Sequence, residues 1–251
     1  MDITQTFYDD LAPQYDKLFL DWHAAVREQA ALLEGLFLSG GFDRTAKVLD
    51  CACGIGTQAI GLAGLGYDIT ASDFSEGALD QARARAAQQG VPVRFVQADF
   101  RALEQVLSRT FDIVICMDNA LPHMLTPEDL KAAVGSIAGR VREGGMFVAS
   151  IRDYDALLET RPTYSPPYIH ETDRGRRVSF QTWKWEGDIY SLVQYIIDDG
   201  DALGVSRFAC RYRATRREEL TGLLQSAGFR QVKWLLPEES GFYQPLMVAV
   251  K

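Results

Sequence analysis

Val48-Leu49-Asp50-Cys51-Ala52-Cys53-Gly54-Ile55-Gly56-Thr57 is the stretch on which the reading of this chain turns. A short apolar run ends in a carboxylate, and four residues later comes a Gly-x-Gly turn. Residues 58–65 then bring helix formers, interrupted only by Gly61 and Gly64. Strand, glycine loop and helix in that order seat a ligand where the loop lets backbone approach closely. Taken alone, the stretch also satisfies the dinucleotide pattern G-x-G-x-x-A through Gly54, Gly56 and Ala59, so its neighbours must decide.

Outward from that loop the chain alternates. Strands are expected at 47–50, 67–72, 93–97, 111–117 and 146–151, the last after a turn at Gly144-Gly145, with helices at 76–89 and 127–141. The continuous apolar run at 111–117 suits a strand covered on both faces. Such alternation predicts an α/β fold with a doubly wound, mostly parallel, Rossmann-like sheet. Before it, Tyr8, Leu11, Ala12, Tyr15, Leu18, Phe19 and Trp22 recur at helical steps, broken by Pro13, and a second apolar series runs to Ser39-Gly40-Gly41. After Tyr154 the period changes: 177–185 and 189–198 read as a hairpin about 186–188. In 205–215, Phe208, Cys210, Tyr212 and Ala214 alternate with Arg207, Arg211 and Arg213, which are expected on a solvated face. These strands predict an antiparallel meander inserted into the parallel sheet. Thr215 with Glu218 reads as a capping box for a helix at 216–227, followed by strands at 231–235 and 244–250. The expectation is a single domain over 1–251: a helical lid (1–40), a cofactor-binding core (41–155), an antiparallel insert (156–214) and the end of the core sheet (215–251).

Composition narrows the function. A formal net charge of −8 argues against a nucleic-acid partner, which needs a basic footprint. There is no 18-residue apolar run and no basic, then apolar, leader, so neither a membrane partner nor a signal peptide is expected. Cys51, Cys53, Cys116 and Cys210 match no zinc or C-x-x-C spacing and read as reduced, packed thiols in a cytoplasmic setting. With three histidines, no metal site is expected.

Two carboxylates complete a binding edge. Asp73 ends the second strand 19 residues after Gly54, where it can accept both hydroxyls of a ribose or cap the next helix. Asp99, in Gln97-Ala98-Asp99-Phe100, ends the third strand at the same edge. Together these segments, over roughly residues 45 to 155, resemble the class I S-adenosylmethionine-dependent methyltransferases. The resemblance implies S-adenosyl-L-methionine as cofactor. Asp50, Cys51, Ala52, Gly54, Gly56 and Thr57 would lie against its methionine part, Asp73 with Phe74 at the ribose, Asp99 and Phe100 at the adenine, and Met117 beside them. An NAD enzyme or a non-catalytic cofactor-binding protein stays open as an alternative.

Ile115-Cys116-Met117-Asp118-Asn119-Ala120-Leu121-Pro122-His123, Ser150-Ile151-Arg152-Asp153-Tyr154-Asp155 and Phe242-Tyr243-Gln244 extend the likeness. They are similar to glycine N-methyltransferase and the glycine sarcosine N-methyltransferases over nearly the whole chain. That similarity implies transfer of a methyl group to the amine of a small amino acid such as glycine or sarcosine. Arg152 would take the acceptor carboxylate, a role its planar fork suits. Asn119 would orient the amine through its side-chain oxygen, with Tyr15, Tyr195, Tyr212 and Tyr243 around the transfer site and Trp22 on the lid. His123 is read as a loop support. Asp118 departs from the mammalian glycine enzyme, which carries glycine there; its extra carboxylate would either favour an ammonium substrate beside the acceptor or point away from it. Another small-molecule amine or hydroxyl acceptor is the alternative. Transfer from a sulfonium is chiefly an orientation problem, and no general base is nominated.

Overall fold

The computed structural model describes residues 3–173 and 175–251. The alternating segments form β1 (Lys47–Asp50), β2 (Asp68–Asp73), β3 (Arg94–Gln97), β4 (Phe111–Cys116) and β5 (Val141–Ser150), all mutually parallel. A second sheet, here the cap sheet, contains β6 (Tyr168–Thr172), β7 (Gly175–Glu186), β8 (Ile189–Asp199) and β9 (Leu203–Arg213) in that order, all antiparallel. β10 (Gln231–Leu235) and β11 (Leu246–Val250) return to the core sheet, whose order is β10-β11-β5-β4-β1-β2-β3, with β11 alone reversed. Chain order reverses between β4 and β1. The crevice beyond their carboxyl ends is therefore the topological switch point, where ligands of such sheets bind.

The helices are α1 (Ile3–Leu11), α2 (Trp22–Ser39), α3 (Thr57–Gly64), α4 (Glu76–Gln89), α5 (Pro127–Arg140), α6 (Tyr154–Thr160), α7 (Arg217–Ser226) and the single turn α8 (Pro237–Ser240). The side chains of β4 alternate between two cores. Ile113 and Ile115 pack with Leu33 and Phe37 of α2 and Leu62 of α3, and Val114 and Cys116 with Val134 and Ile137 of α5 and Leu224 of α7. Each fully buried Leu, Ile or Phe contributes on the order of 1.5–3 kcal/mol, which is why the run tolerates no polar residue after Asp112. Gly61, an apparent break in the sequence, is a contact point: a Cβ there would stand 2.5 Å from the Val26 carbonyl oxygen and 2.7 Å from the Ala30 Cβ, so glycine lets α2 lie directly on α3.

Pro13 divides the N-terminal segment as expected, opening a 3₁₀ helix at Ala12–Leu18, where its missing N–H costs nothing. Three expectations need correction. The insert does not join the parallel sheet; it builds the separate cap sheet, with β6 unanticipated because Tyr168-Ile169-His170-Glu171-Thr172 lacks a buried alternation. β5 starts at Val141, which pairs with Phe111, and crosses Gly144-Gly145 through a register shift instead of a turn. The Thr215 capping box does not form: Arg216 is the N-cap of α7, and the Thr215 hydroxyl bonds the Arg213 carbonyl oxygen. α6 follows β5 directly because Asp153 caps it, accepting from Ala156 N at 3.3 Å.

No helix of the described residues is long and apolar enough to cross a membrane. The four cysteines are free and buried. Burial raises the Cys51 and Cys53 thiols and pushes Cys210 up to about 12, which leaves these three poor nucleophiles.

Candidate active site

At the switch point the glycine loop turns through Gly54 (φ +52) and Gly56 (φ +92), backbone that side-chain-bearing residues rarely adopt. The loop is fixed from below. Asp73 accepts from Gly54 N at 2.7 Å through one carboxylate oxygen and from Ser75 N at 2.9 Å through the other. Ser75, rather than Asp73, caps α4. Burial raises the Asp73 carboxyl while those backbone N–H groups oppose the shift. Asp50 is fully buried beneath the loop. One of its oxygens accepts from Ala52 N at 3.3 Å and the other has no partner, and burial raises this carboxyl far above the usual range.

Above the loop lies a cleft of about 320 Å³, within the range of small-molecule sites. Cys51, Ala52, Gly54, Thr57, Asp73, Phe74, Asp99, Phe100 and Met117 line it; Asp50 and Gly56 lie just behind the wall. The Trp22 indole donates to Thr57 Oγ1 at 3.0 Å, tying α2 to the loop. Asp99 is held in a fork by Arg101, with Nη2 to Oδ2 at 2.6 Å and Nε to the same oxygen at 2.9 Å, and Arg101 also reaches Asp129 at 3.2 Å. Asp99 and Arg101 share the loop after β3, but Asp129 lies on α5, and that third member is what the sequence alone does not bring to the clamp.

The N-terminal segment roofs the cleft with Gln5, Tyr8 and Tyr15. Its anchor is Asp9, whose Oδ1 accepts from the Ser75 hydroxyl at 2.5 Å and from Gly77 N at 3.1 Å, at the positive end of α4. Tyr8 OH meets His123 Nε2 at 2.8 Å, and His123 Nδ1 lies 3.2 Å from the Arg211 carbonyl oxygen. His123 thus joins roof, core and cap sheet, a wider part than a loop support. Arg207 and the side chain of Arg211, 42% exposed beside Glu186, stand on the solvated face as expected, Arg211 also lining the cleft, while Arg213 pairs with Glu219 at 2.6 Å.

Beside the cleft is a chamber formed where β5 ends under the cap sheet. Arg152 donates to Tyr190 OH at 3.1 Å and to Gln181 Oε1 at 2.9 Å, and lies over the Trp183 and Tyr212 rings at 5.0 and 5.5 Å. Among the described residues no carboxylate pairs with it. Tyr154 and Tyr190 hydroxyls are 3.0 Å apart. Burial raises the phenols of Tyr8, Tyr15, Tyr154, Tyr190 and Tyr212, so each keeps its proton near neutral pH and acts as a donor, not a base.

Three expected acceptor residues are placed differently. Tyr195 points to the opposite face of the cap sheet, stacked on Phe180 at 4.9 Å; Tyr190, an odd number of residues away, holds the inner position. The Asn119 side-chain oxygen is already taken, by Arg152 N and by Tyr154 OH, both at 3.0 Å, so it is not free to orient an amine. Tyr243 is 60% exposed and reaches inward only through its hydroxyl, which donates to Asp118 Oδ1 at 2.8 Å. Tyr15 and Tyr212 do face inward, Tyr212 buried between Tyr190 and His123.

Comparison with known proteins agrees with this geometry. A family model described as a methyltransferase domain matches residues 48–145. The glycine/sarcosine N-methyltransferase of Parasynechococcus marenigrum (strain WH8102) is 27% identical over 232 residues, covering 91% of this chain and 77% of that protein. Among solved structures, the CcbJ methyltransferase from Streptomyces caelestis superposes with a TM-score of 0.77 at 22% identity, over 100% of this chain and 98% of that one. The S-adenosylmethionine-bound amino pentose methyltransferase CalS10 from Micromonospora echinaspora gives 0.74 at 18%, over 95% and 94%. Residues 48–145 thus carry a methyltransferase domain on the switch-point loop, and the chain shares the fold of S-adenosylmethionine-dependent methyltransferases and resembles the glycine N-methyltransferases.

Proposed function

We propose that this enzyme methylates the amine of a small amino acid such as glycine or sarcosine. The observation that carries the reading is Arg152: a half-buried guanidinium with aromatic faces and neutral oxygens around it, and no carboxylate of its own among the described residues. A planar cation held this way is short of a planar anion, which an amino-acid carboxylate supplies. The buried Asn119 Nδ2, which lacks a partner, is a second donor left over for an acceptor oxygen.

The cofactor side fits S-adenosylmethionine on two counts. The unpartnered Asp50 oxygen beneath the loop suits the ammonium of its methionine part, and a Cβ at Gly54 would meet nothing within 4 Å, so the loop leaves open space for a close ligand. When bound, the cofactor supplies a methyl group on a positively charged sulfur that leaves readily. The chain's residues would hold and shield it: Asp50 to Thr57 at the methionine, Asp73 and Phe74 at the ribose, Asp99 and Phe100 at the adenine, with Met117 between cofactor and acceptor. Tyr8 and Tyr15 roof the site against water, and the neutral tyrosine hydroxyls of the chamber orient the acceptor. We read the chain as one catalytic domain, with the roof and cap sheet as its acceptor half. An amine without a carboxylate is the second reading, supported by the end-to-end fold shared with an amino pentose methyltransferase.

A methyl-transfer screen with labelled S-adenosylmethionine tests the reading. Glycine, sarcosine, dimethylglycine, glycinamide and amino sugars form the set, and label is expected in the free amino acids first. A preference for glycinamide or an amino sugar would overturn the amino-acid reading and leave the methyltransferase intact.

A further inference from the structure

Asp118 directly follows Met117 and β4, with φ +56, and Asn119 after it has φ +69. Among the described residues the only other non-glycine with positive φ is Arg161. Two such residues in succession store strain, which Asp and Asn tolerate best, and strained backbone at a ligand edge is commonly tied to function. Here the turn is held by Asp118 N donating to Ser150 Oγ at 2.7 Å and Asn119 N to the Ser150 carbonyl oxygen at 3.1 Å. It aims the Asp118 carboxylate into the cleft wall.

That carboxylate is steadied but not neutralised. Oδ2 accepts from Gln58 Nε2 at 2.8 Å and Oδ1 from Tyr243 OH at 2.8 Å. No cation among the described residues pairs with it. Arg152 is the mirror case, a cation without an anion, and Tyr15 and Tyr243 lie within charge range of both. An uncompensated anion and an uncompensated cation around one space are costly without a ligand and complementary to a zwitterion.

We propose that Asp118 receives the acceptor's ammonium group and takes up the proton that nitrogen must lose before it is methylated, with Arg152 holding the other end. This rests on the amino-acid reading above. The N–H bond breaks and its electron pair stays on nitrogen as the lone pair, while the proton passes to an Asp118 oxygen. Nitrogen then bonds the methyl carbon as the pair of the methyl–sulfur bond remains with sulfur, and the proton later leaves Asp118 for solvent. Burial raises the Asp118 carboxyl above its ordinary range, in the direction a proton acceptor needs, against hydrogen bonds from Gln58 and Tyr243. The titratable groups that feel its charge are Tyr15 on the roof, Tyr243 before β11 and Asp50 below, and Arg152 after β5 lies within charge range of the two tyrosines.

The test is calorimetric titration of glycine and of acetate, its carboxylate half, into protein saturated with S-adenosylhomocysteine. Wild type should prefer glycine by at least about tenfold, the scale of one charge-assisted contact. Asp118→Asn, which keeps a residue that tolerates positive φ, should bring the two ligands within about twofold while acetate affinity holds. The fall of kcat/KM at low pH should disappear in this variant. It should move to higher pH in Tyr243→Phe, which removes a hydrogen bond that favours the ionised form. An intact glycine preference in Asp118→Asn, or an unmoved acidic limb, would sink the proposal. If Arg152→Ala alone then abolished acetate binding, the amino-acid reading would survive without it. If wild type neither bound nor methylated any amino acid, both would fall together.

Discussion

The cofactor cleft and the acceptor chamber meet at Tyr15 and Asp118 but are made of different material. The cleft is fastened largely by backbone: Gly54 N and Ser75 N hold Asp73, Cys53 N reaches the Ser72 carbonyl oxygen and Ala98 N that of Asp73. The chamber is fastened by side chains, with Arg152, Gln181, Tyr154, Tyr190 and Asn119 bonded mainly to one another. A surface of backbone groups survives most substitutions, whereas a surface of side chains is rewritten by each one. One half can therefore stay constant while the other takes a new acceptor, which is how one fold serves many reactions.

The largest effect should come from Arg152, where a single side chain carries the whole charge. Arg152→Ala should lower kcat/KM for the amino-acid acceptor by about 3–4 kcal/mol, roughly 10²–10³-fold, with cofactor affinity nearly unchanged. Arg152→Lys should fall between, since it keeps the charge and loses the fork. Steady-state kinetics beside calorimetric titration of the cofactor separates the two; a parallel collapse of cofactor binding would erase the distinction between the halves.

In the cleft, Asp73 is the side chain that both holds the glycine loop, through Gly54 N, and faces the ligand. Asp73→Ala should weaken S-adenosylmethionine binding by about 2–4 kcal/mol, partly through lost ribose bonds and partly because Gly54 N loses its anchor. Asp73→Asn keeps one acceptor oxygen and should cost about half of that. Unchanged affinity in either folded variant would refute the ribose assignment.

A smaller effect separates two tyrosines on one strand. Tyr190→Phe removes the hydroxyl shared by Arg152 and Tyr154 and should cost about 1–1.5 kcal/mol in kcat/KM, roughly tenfold. Tyr195→Phe, on the outer face, should be silent within twofold. Equal losses would mean that the cap sheet is seated in another register.

These two tyrosines also show why the halves differ in legibility. The cleft could be read from residues 48–57, Asp73 and Asp99 because each required function sits at the end of a strand whose apolar run marks it, and the loop chemistry is contiguous. The chamber is assembled from the ends of β4 and β5, α6 and the cap sheet, which are distant in sequence. In β8, apolar and aromatic residues occupy both faces, with Tyr190, Leu192 and Ile196 buried while Val193, Tyr195 and Ile197 are half-buried, so alternation does not say which tyrosine points in. Arg152 was legible since it ends a core strand. Gln58, Tyr154 and Gln181 were not, because their roles depend on partners that only the tertiary fold supplies. The reach of Arg101 from Asp99 to Asp129 on α5 depends on the fold in the same way.

The smallest effect belongs to Asp50 and concerns stability. Its folded-state carboxyl is raised by burial, so the folded chain favours the protonated form. The stability linked to that proton is present below the unfolded value near 4 and is lost as pH rises through the raised folded value. Asp50→Asn removes this titration. The melting temperature of the variant relative to wild type, measured without cofactor, should therefore climb by a few degrees between pH 4 and pH 7, at about 2–4 °C per kcal/mol for a chain of this size. Comparing pH slopes cancels any fixed cost of the amide itself. Saturating S-adenosylmethionine should shrink the climb, because a ligand ammonium over the unpartnered oxygen would stabilise the ionised carboxylate in wild type alone. A difference that stayed flat with pH would show that the buried carboxyl carries no such strain. A climb that the cofactor left untouched would separate Asp50 from the ligand and leave the loop backbone to hold the methionine end unaided.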